Sequence, residues 1–163
     1  MIVLVMGVTG SGKTTVGQML SQQLGWEFAD ADSFHPPANI EKMRQGIGLT
    51  DAERQPWLAN IHDAIMRWTA EGRSVVVACS ALKRAYRRQL CQGVKLDIVY
   101  LRGTYQLIAE RLQHRTGHYA TESLLTSQFE ALEEPVDEEV AVIDINHSTE
   151  EIVAEVRKRL GLA

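Results

Sequence analysis

The stretch GVTGSGKT, residues Gly7–Thr14, lies between an apolar run that ends at Met6 and a pattern typical of a helix. It matches the spacing G-x-x-x-x-G-K-[ST], in which glycines let backbone N–H groups curl around phosphate oxygens without a side-chain clash. The start of the following helix adds its dipole. We expect the Lys13 amine to reach the β- and γ-phosphates of a nucleoside triphosphate and the Thr14 hydroxyl to ligate Mg²⁺.

The rest of the chain continues the same order of strand and helix. Apolar runs predict five strands, at Ile2–Met6, Glu27–Ala29, Ser74–Cys79, Asp97–Leu101 and Val140–Ile145. Helical patterns separate them, with stops near Gly25 and Gly72 and a capping box formed by Ser148 and Glu151. This alternation predicts an α/β fold of the P-loop NTPase type, a five-stranded parallel sheet with helices on both faces. We expect one domain over residues 1–163, and one crevice shared by the loops that follow Met6, Ala29, Cys79 and Leu101.

The composition excludes several classes of function. The chain has 163 residues, a formal net charge of -4 and a pI of about 5.7, which disfavours a nucleic-acid binder because such proteins use a basic face. No apolar run reaches the length of a membrane span, and the apolar N-terminus, without a preceding basic segment, indicates a buried strand rather than a signal peptide. Cys79 and Cys91 lack the spacing of a zinc site, so we expect free thiols in a reducing cytoplasm.

The absence of two sequence motifs limits the classes of nucleotide-using protein to which the chain can belong. The Asn-Lys-x-Asp motif with which GTPases read guanine does not occur in the sequence. The apolar run Ser74–Cys79 is followed by Ser80 and Ala81, whereas a motor ATPase would end such a strand in Asp-Glu. These features predict a kinase of a small molecule.

The segment FADADSFHPP, residues 28–37, places two carboxylates and a histidine after the second predicted strand. Asp30 can hold a water on Mg²⁺, and Asp32 can orient or deprotonate a substrate hydroxyl. The alternative for either acid is a helix cap or a solvated turn. His35 can hydrogen-bond a substrate or cap the helix that begins near Pro36.

Cationic side chains follow in two further segments. LTDAERQPWL, residues 49–58, contains Arg54, whose guanidinium fork suits a carboxylate, and a capping box of Thr50 and Glu53. Trp57 in the same segment is interpreted as core packing. CSALKRAYRRQL, residues 79–90, brings Lys83 to the mouth of the crevice. The remaining cations of that segment are interpreted as a solvated basic face, namely Arg84, Arg87 and Arg88.

The segment RLQHRTGH, residues 111–118, ends a helix and enters a loop. Arg111 and Arg115 suit a lid over about residues 115–123 that closes on ATP and neutralises the transferring phosphoryl group. The alternative is that cations are favoured at any helix C-terminus. The acidic segment EALEEPVDEE, residues 130–139, is interpreted as a solvated loop.

Together these motifs resemble the gluconate kinases, small P-loop carbohydrate kinases related in fold to shikimate and nucleoside monophosphate kinases. The resemblance runs nearly end to end and includes GVTGSGKTT, HP-x-x-NI-x-KM, R-x-PWL, CSALK-x-x-YR and LL-x-SQ-x-x-LE-x-P. It implies ATP- and Mg²⁺-dependent phosphorylation of D-gluconate to 6-phosphogluconate by a cytoplasmic homodimer. Two alternatives stay open: a kinase of another hydroxy acid such as shikimate, and a nucleotide-sensing module without turnover.

The resemblance also implies site residues. The expected ATP-binding residues are Gly7, Val8, Thr9, Gly10, Ser11, Gly12, Lys13, Thr14, Thr15 and Arg111. The expected substrate-binding residues are Asp30, Asp32, His35, Arg54, Lys83 and His118. Lys13, Asp32 and Arg115 are expected to be catalytic, and Thr14 and Asp30 to bind the metal.

The chain departs from the pattern of the gluconate kinases at a few positions. Ala31 replaces a usual glycine, Gly48 a common proline and Glu53 a common aspartate. The lid reads His-Tyr-Ala-Thr at residues 118–121, where His-Phe-Met-Pro is frequent.

Overall fold

The computed structural model describes residues 1–114, 119–136 and 138–162, and for residues 119–121 it describes the backbone alone. Its strands are β1 (Ile2–Met6), β2 (Glu27–Asp30), β3 (Val75–Ala78), β4 (Asp97–Arg102) and β5 (Val140–Asp144). Its helices are α1 (Lys13–Leu24), α2 (Pro37–Arg44), α3 (Asp51–Ala70), α4 (Arg84–Leu90), α5 (Tyr105–Gln113), α6 (Tyr119–Ala131) and α7 (Thr149–Arg159). A short 3₁₀ helix, Ala31–Phe34, follows β2.

The five strands form one parallel sheet in the order β2-β3-β1-β4-β5. β1 pairs with β3 on one side, where Ile2 is opposite Val75, and with β4 on the other, where Val3 is opposite Asp97. The central strand is apolar along its whole length because helices cover it on both faces. The predicted α/β class and all five strands are confirmed, with ends that differ by one residue at most.

Alternate residues of β1 point into two separate cores. Leu4 and Met6 pack against α3 and α4, whereas Val3 and Val5 pack against α1, α5, α6 and α7. This period of two is the geometry of a strand between two layers of helices. None of the helices in the described part of the chain is both long and apolar enough to span a membrane.

The residues predicted to start and to stop helices are confirmed at helix N-termini and C-termini. Gly25 ends α1 in the left-handed conformation, with φ of 69°. Capping boxes start α3 at Thr50 and Glu53, and α7 at Ser148 and Glu151. These local signals depend on neighbours in sequence, which is why they could be read without the fold.

Candidate active site

The phosphate-binding loop joins β1 to α1 and has a backbone that only glycine adopts easily. Gly12 has φ of +96°, and among the described residues beyond its own chain neighbours no atom lies within 4 Å of the position a Cβ would take. Gly10 has φ of +78°, and a Cβ there would lie 2.8 Å from the Leu112 side chain of α5. The loop therefore needs glycine once for its turn before α1 and once for its close packing on α5.

Lys13 begins α1, and its side chain turns back over the loop. Its Nζ donates a hydrogen bond to the Val8 carbonyl oxygen at 3.0 Å. Burial lowers the pKa of Lys13, and the negative charges of Asp32 and, more weakly, Asp30 oppose that shift. The loop thus holds a cation beside two carboxylates, where it can neutralise a polyphosphate.

A crevice of about 270 Å³ opens at the carboxyl ends of β1, β2 and β3. The predicted nucleotide-binding residues that line it are Thr9, Gly10, Gly12, Lys13, Thr14 and Thr15, while Gly7, Val8 and Ser11 lie behind this surface. The predicted sharing of one crevice is confirmed for the loops after β1, β2 and β3. It is wrong for the loop after β4, because Gly103 and Thr104 do not line the crevice. Gly103 instead packs on the core, where a Cβ would lie 2.5 Å from Ile145.

Asp30 and Asp32 both line the crevice, but their surroundings differ. Asp30 caps the 3₁₀ helix, since its Oδ1 accepts a hydrogen bond from the Asp32 N–H at 3.0 Å. Burial raises the pKa of Asp32, the charge of Asp30 raises it further, and Lys13 opposes both. The raised pKa makes Asp32 a better proton acceptor than an ordinary aspartate, and its backbone N–H is held by the turn that Asp30 caps.

Thr14 and Asp30 suit a magnesium ion that is bound mainly through nucleotide phosphates and water. Both residues line the same crevice. Within the described ranges, no three His, Cys, Asp or Glu side chains come together in a way that could hold a metal. Mg²⁺ usually takes only one or two protein oxygens beside substrate phosphates and water, so a hydroxyl and a carboxylate fit its needs.

The His35 imidazole packs flat against the indole of Trp57, with ring centroids 4.4 Å apart and an interplanar angle of 8°. Its Nδ1 lies 3.3 Å from the Asn39 amide nitrogen. Burial and, secondarily, the charge of Arg54 lower the pKa of His35 to about 4, so the ring is neutral at pH 7. The alternative that His35 caps the next helix is wrong, because the N-cap of α2 is Pro36 and no side chain caps that helix. Trp57 is buried as expected, and it supports a crevice residue as well.

Arg54 faces the crevice from α3 and belongs to an ion-pair cluster around Asp51. Its Nη1 donates to the Tyr86 hydroxyl at 3.1 Å and lies 3.7 Å from Asp51 Oδ1. The Tyr86 hydroxyl donates to Asp51, and Lys83 Nζ donates to the two Asp51 oxygens at 3.0 and 3.2 Å. Lys83 itself does not line the crevice, so its contact with a substrate stays a prediction.

Comparison with known proteins agrees with this geometry. A profile of the shikimate kinase family matches residues 9–161. The chain is 43% identical to a probable gluconokinase of Xenopus tropicalis, over 96% of this chain and 91% of that protein. It is 47% identical to a gluconokinase of Gluconobacter oxydans (strain 621H), over 85% of this chain and 79% of that protein. The chain belongs to the gluconokinases of the shikimate kinase family.

Two solved structures match this chain over nearly all of its length. A gluconokinase from Sinorhizobium meliloti 1021 is 42% identical and superimposes with a TM-score of 0.82, covering 98% of this chain and 94% of that one. An unliganded sugar kinase from Janibacter sp. HTCC2649 is 40% identical with a TM-score of 0.93, covering 99% and 95%. The resemblance stated from the sequence motifs is confirmed.

Sequence reasoning missed Gln128, which brings helix α6 into the candidate active site. Its Oε1 accepts a hydrogen bond from the Thr9 N–H of the phosphate-binding loop at 2.6 Å. Leu124 and Ser127 of the same helix also line the crevice. The motif LL-x-SQ-x-x-LE-x-P already contained Ser127 and Gln128. The motif does not show which residues they contact, so no role could be assigned to them from the sequence. Asn39 and Tyr86 were missed in the same way.

The predicted lid lies only partly within the described residues: residues 115–118 are outside them, and residues 119–123 form the start of helix α6. Arg115 and His118 are among the residues that the structure does not describe, so their roles stay predictions. Arg111, at the end of α5, donates from Nη2 to the Ile145 carbonyl oxygen at 2.7 Å and does not line the crevice. In this arrangement Arg111 holds α5 to the end of β5, and its binding of ATP also stays a prediction.

The interpretation of Arg87 as part of a solvated basic face is wrong. Arg87 is 1% exposed, and its Nε and Nη2 each donate to Glu138 at 2.9 Å. Its Nη1 donates to the carbonyl oxygens of Ala81 and Leu82, and Nη2 donates to that of Glu133. The acidic segment is therefore partly docked over the loop after β3. Only Arg84 and Arg88 of the three arginines are exposed.

Two departures from the family pattern are accommodated locally. Ala31 is fully buried at the start of the 3₁₀ helix, and its carbonyl oxygen accepts a hydrogen bond from Trp57 Nε1 at 2.8 Å. Gly48 lines the crevice, and a Cβ there would lie 3.7 Å from Ser127 Oγ, an ordinary contact.

Proposed function

We propose that this protein is a gluconokinase that transfers the γ-phosphoryl group of ATP to the terminal hydroxyl of D-gluconate. The observation that carries the proposal is the convergence, in one crevice, of the phosphate-binding loop, the basic carboxylate of Asp32 and the guanidinium of Arg54. These three groups suit a triphosphate, a hydroxyl and a carboxylate. The curated relatives named gluconokinase support the choice of the sugar acid.

In the proposed reaction the gluconate hydroxyl oxygen forms a bond to the γ-phosphorus while the bond to the β,γ-bridging oxygen breaks. The hydroxyl proton passes to the Asp32 carboxylate, whose raised pKa favours acceptance. The Lys13 amine neutralises charge on the phosphates, and the Arg54 guanidinium orients the substrate carboxylate. A Mg²⁺ ion near Thr14 and Asp30 would supply further neutralisation of the phosphate charge.

The remaining parts of the proposal concern domain organisation, oligomeric state, partners and cellular location. We infer a single domain that acts as a cytoplasmic homodimer, with a lid over residues 115–123 and no nucleic-acid or membrane partner. Both cysteines are free thiols, and Cys79 is buried, which suits a reducing compartment. The net charge of -4 supports the exclusion of a polyanion as partner.

The test is ADP release by purified protein with MgATP against gluconate, shikimate, glycerate and related aldonates, with AMP as a control. Turnover with gluconate, and phosphate on its terminal hydroxyl, is the expected result. Turnover with shikimate alone would overturn the choice of substrate. ATP binding without turnover on any acceptor would instead indicate a nucleotide-sensing module.

A further inference from the structure

Asn39 makes two contacts that together determine the orientation of its side-chain amide. It lies on α2, is 5% exposed, and its Nδ2 donates to the Glu53 carbonyl oxygen at 2.8 Å. The same Nδ2 lies 3.3 Å from Nδ1 of His35. A backbone carbonyl oxygen can only accept, so the atom that faces Glu53 must be the amide nitrogen and not the amide oxygen.

The orientation of Asn39 decides the tautomer of His35. An amide nitrogen has two hydrogens and no lone pair to offer, so it donates to both of its neighbours. Nδ1 of His35 must therefore accept, and a neutral imidazole that accepts at Nδ1 has its proton on Nε2. The ring is neutral at pH 7, because burial and the charge of Arg54 lower the pKa of His35 to about 4.

The Nε2 atom of His35 is accessible rather than enclosed in the interior. His35 lines the crevice together with Asp32 and Arg54. In the described part of the chain, Ser11 Oγ is the one fully buried side-chain nitrogen or oxygen atom that has no hydrogen-bond partner. Nε2 of His35 is not such an atom, so a ligand can reach it. Stacking on Trp57 holds the ring plane, and Asn39 holds the rotation of the ring within that plane.

We propose that Asn39 is a positioning residue that keeps His35 in the Nε2–H tautomer, so that the ring presents a single hydrogen-bond donor to a hydroxyl oxygen of the acceptor substrate. Asp32 accepts from the substrate, whereas His35 donates to it. The crevice thus offers opposite polarities to neighbouring hydroxyl groups, which selects a polyhydroxy acid over its deoxy analogues. The choice of such a substrate rests on the proposed function.

The first experiment is a ¹H–¹⁵N spectrum of the imidazole rings in the unliganded protein at pH 7, with the His35 signals identified by their loss in His35→Gln. The expected pattern is a protonated Nε2 and an unprotonated Nδ1. The proposal is overturned if His35 has its proton on Nδ1. This measurement needs no substrate, so it stands apart from the test of gluconate turnover.

The second experiment compares Asn39→Ala with Gln45→Ala as control, since Gln45 is an exposed residue just beyond the same helix. Asn39→Ala is expected to mix the two His35 tautomers and to raise the KM for gluconate about 2- to 12-fold, the range of one neutral hydrogen bond, with the KM for ATP unchanged. A lowered melting temperature with an unchanged tautomer and unchanged KM would show a merely structural role and overturn the proposal.

A third comparison remains valid if Asn39→Ala does not fold. His35→Gln places an amide N–H near the position of Nε2, whereas His35→Leu removes the donor. We expect His35→Gln to keep more affinity for gluconate than His35→Leu does. Equal loss in both variants would contradict the donor role of Nε2. If another acid proves to be the substrate, the same comparison is made with that acid.

Discussion

The backbone N–H of Thr9, in the phosphate-binding loop, donates to the side-chain oxygen of Gln128 on α6 at 2.6 Å. The two residues are 119 positions apart in the chain. Helix α6, which begins within the predicted lid, is thereby tied directly to the loop that is expected to hold the phosphates.

Gln128→Ala is expected to weaken ATP binding, because the loop loses the acceptor that holds the Thr9 N–H in place. One hydrogen bond corresponds to a change of about 2- to 12-fold in the KM for ATP. Steady-state kinetics with varied ATP measures it, and Gln45→Ala, an exposed change, is the control. An unchanged KM for ATP would show that the contact does not support the nucleotide-binding loop.

Lys13→Ala is expected to abolish measurable phosphoryl transfer, since it removes the cation that lies over the loop. The loss should appear both in ATP affinity and in turnover, because the amine contacts the phosphates before and during transfer. Isothermal calorimetry with MgATP and a turnover assay separate the two effects. Full activity in this variant would be incompatible with the assignment of the phosphate site.

Asp32→Asn is expected to lower turnover by about 10²- to 10⁴-fold, the usual contribution of a general base, with ATP affinity nearly unchanged. The folded-state pKa of Asp32 is raised, so its charged form is disfavoured in the folded protein. The stability cost of that charge is absent at low pH and appears as the pH rises past the unfolded pKa.

Asp32→Asn should therefore raise the melting temperature at pH 7 and leave it unchanged at a pH where Asp32 is protonated. Asp63→Asn, an exposed change on α3, is the control for the loss of one negative charge. Normal turnover, or a lower melting temperature at pH 7, would count against Asp32 as a general base with a raised pKa.

Arg54→Ala is expected to raise the KM for gluconate by about 10- to 100-fold, the range of a charge-assisted hydrogen bond, and to affect the KM for ATP much less. Arg54→Lys keeps the charge but loses the planar fork, so it should restore only part of the affinity. Arg67→Ala, an exposed change on the same helix, is the control. Equal increases in both KM values would indicate that Arg54 serves the structure alone.

Arg87→Leu is expected to destabilise the fold by about 3–5 kcal/mol, because it leaves Glu138 and three carbonyl oxygens without their donor. Arg88→Leu changes the neighbouring exposed residue and should fall within about 0.5 kcal/mol of the parent. Urea unfolding of both variants measures the difference. Similar stabilities would restore the interpretation of a solvated basic face.

Much of the fold was predictable because its signals are local. The apolar run Ile2–Met6, the glycine stops and the two capping boxes each depend on residues within a few positions of one another. The loop after β4 was misplaced because the same signals do not report packing. Gly103 packs against Ile145, a residue 42 positions away in the chain, and such a distant contact leaves no local signal in the sequence.

The location of the candidate site was predictable where a motif has one well-defined chemistry, and Lys13, Thr14 and Asp32 do line the crevice, while their roles stay predictions. It was not predictable where function depends on a partner from another element. From the sequence, Arg87 is indistinguishable from two neighbouring surface arginines. In the structure it pairs with Glu138 and donates to the Ala81 carbonyl oxygen. From the sequence, Asn39 is an ordinary helix residue. In the structure its amide donates to the Glu53 carbonyl oxygen, which sets the orientation of the side chain.

The sequence alone determined the phosphate-binding loop, the order of strands and helices, and the family, because each is encoded in spacing along the chain. The tertiary structure decided which cations face the crevice, in which direction the pKa of Asp32 is shifted, and which amide atom of Asn39 faces His35. Those properties arise from burial and from contacts between distant residues, and only the folded chain brings these residues together.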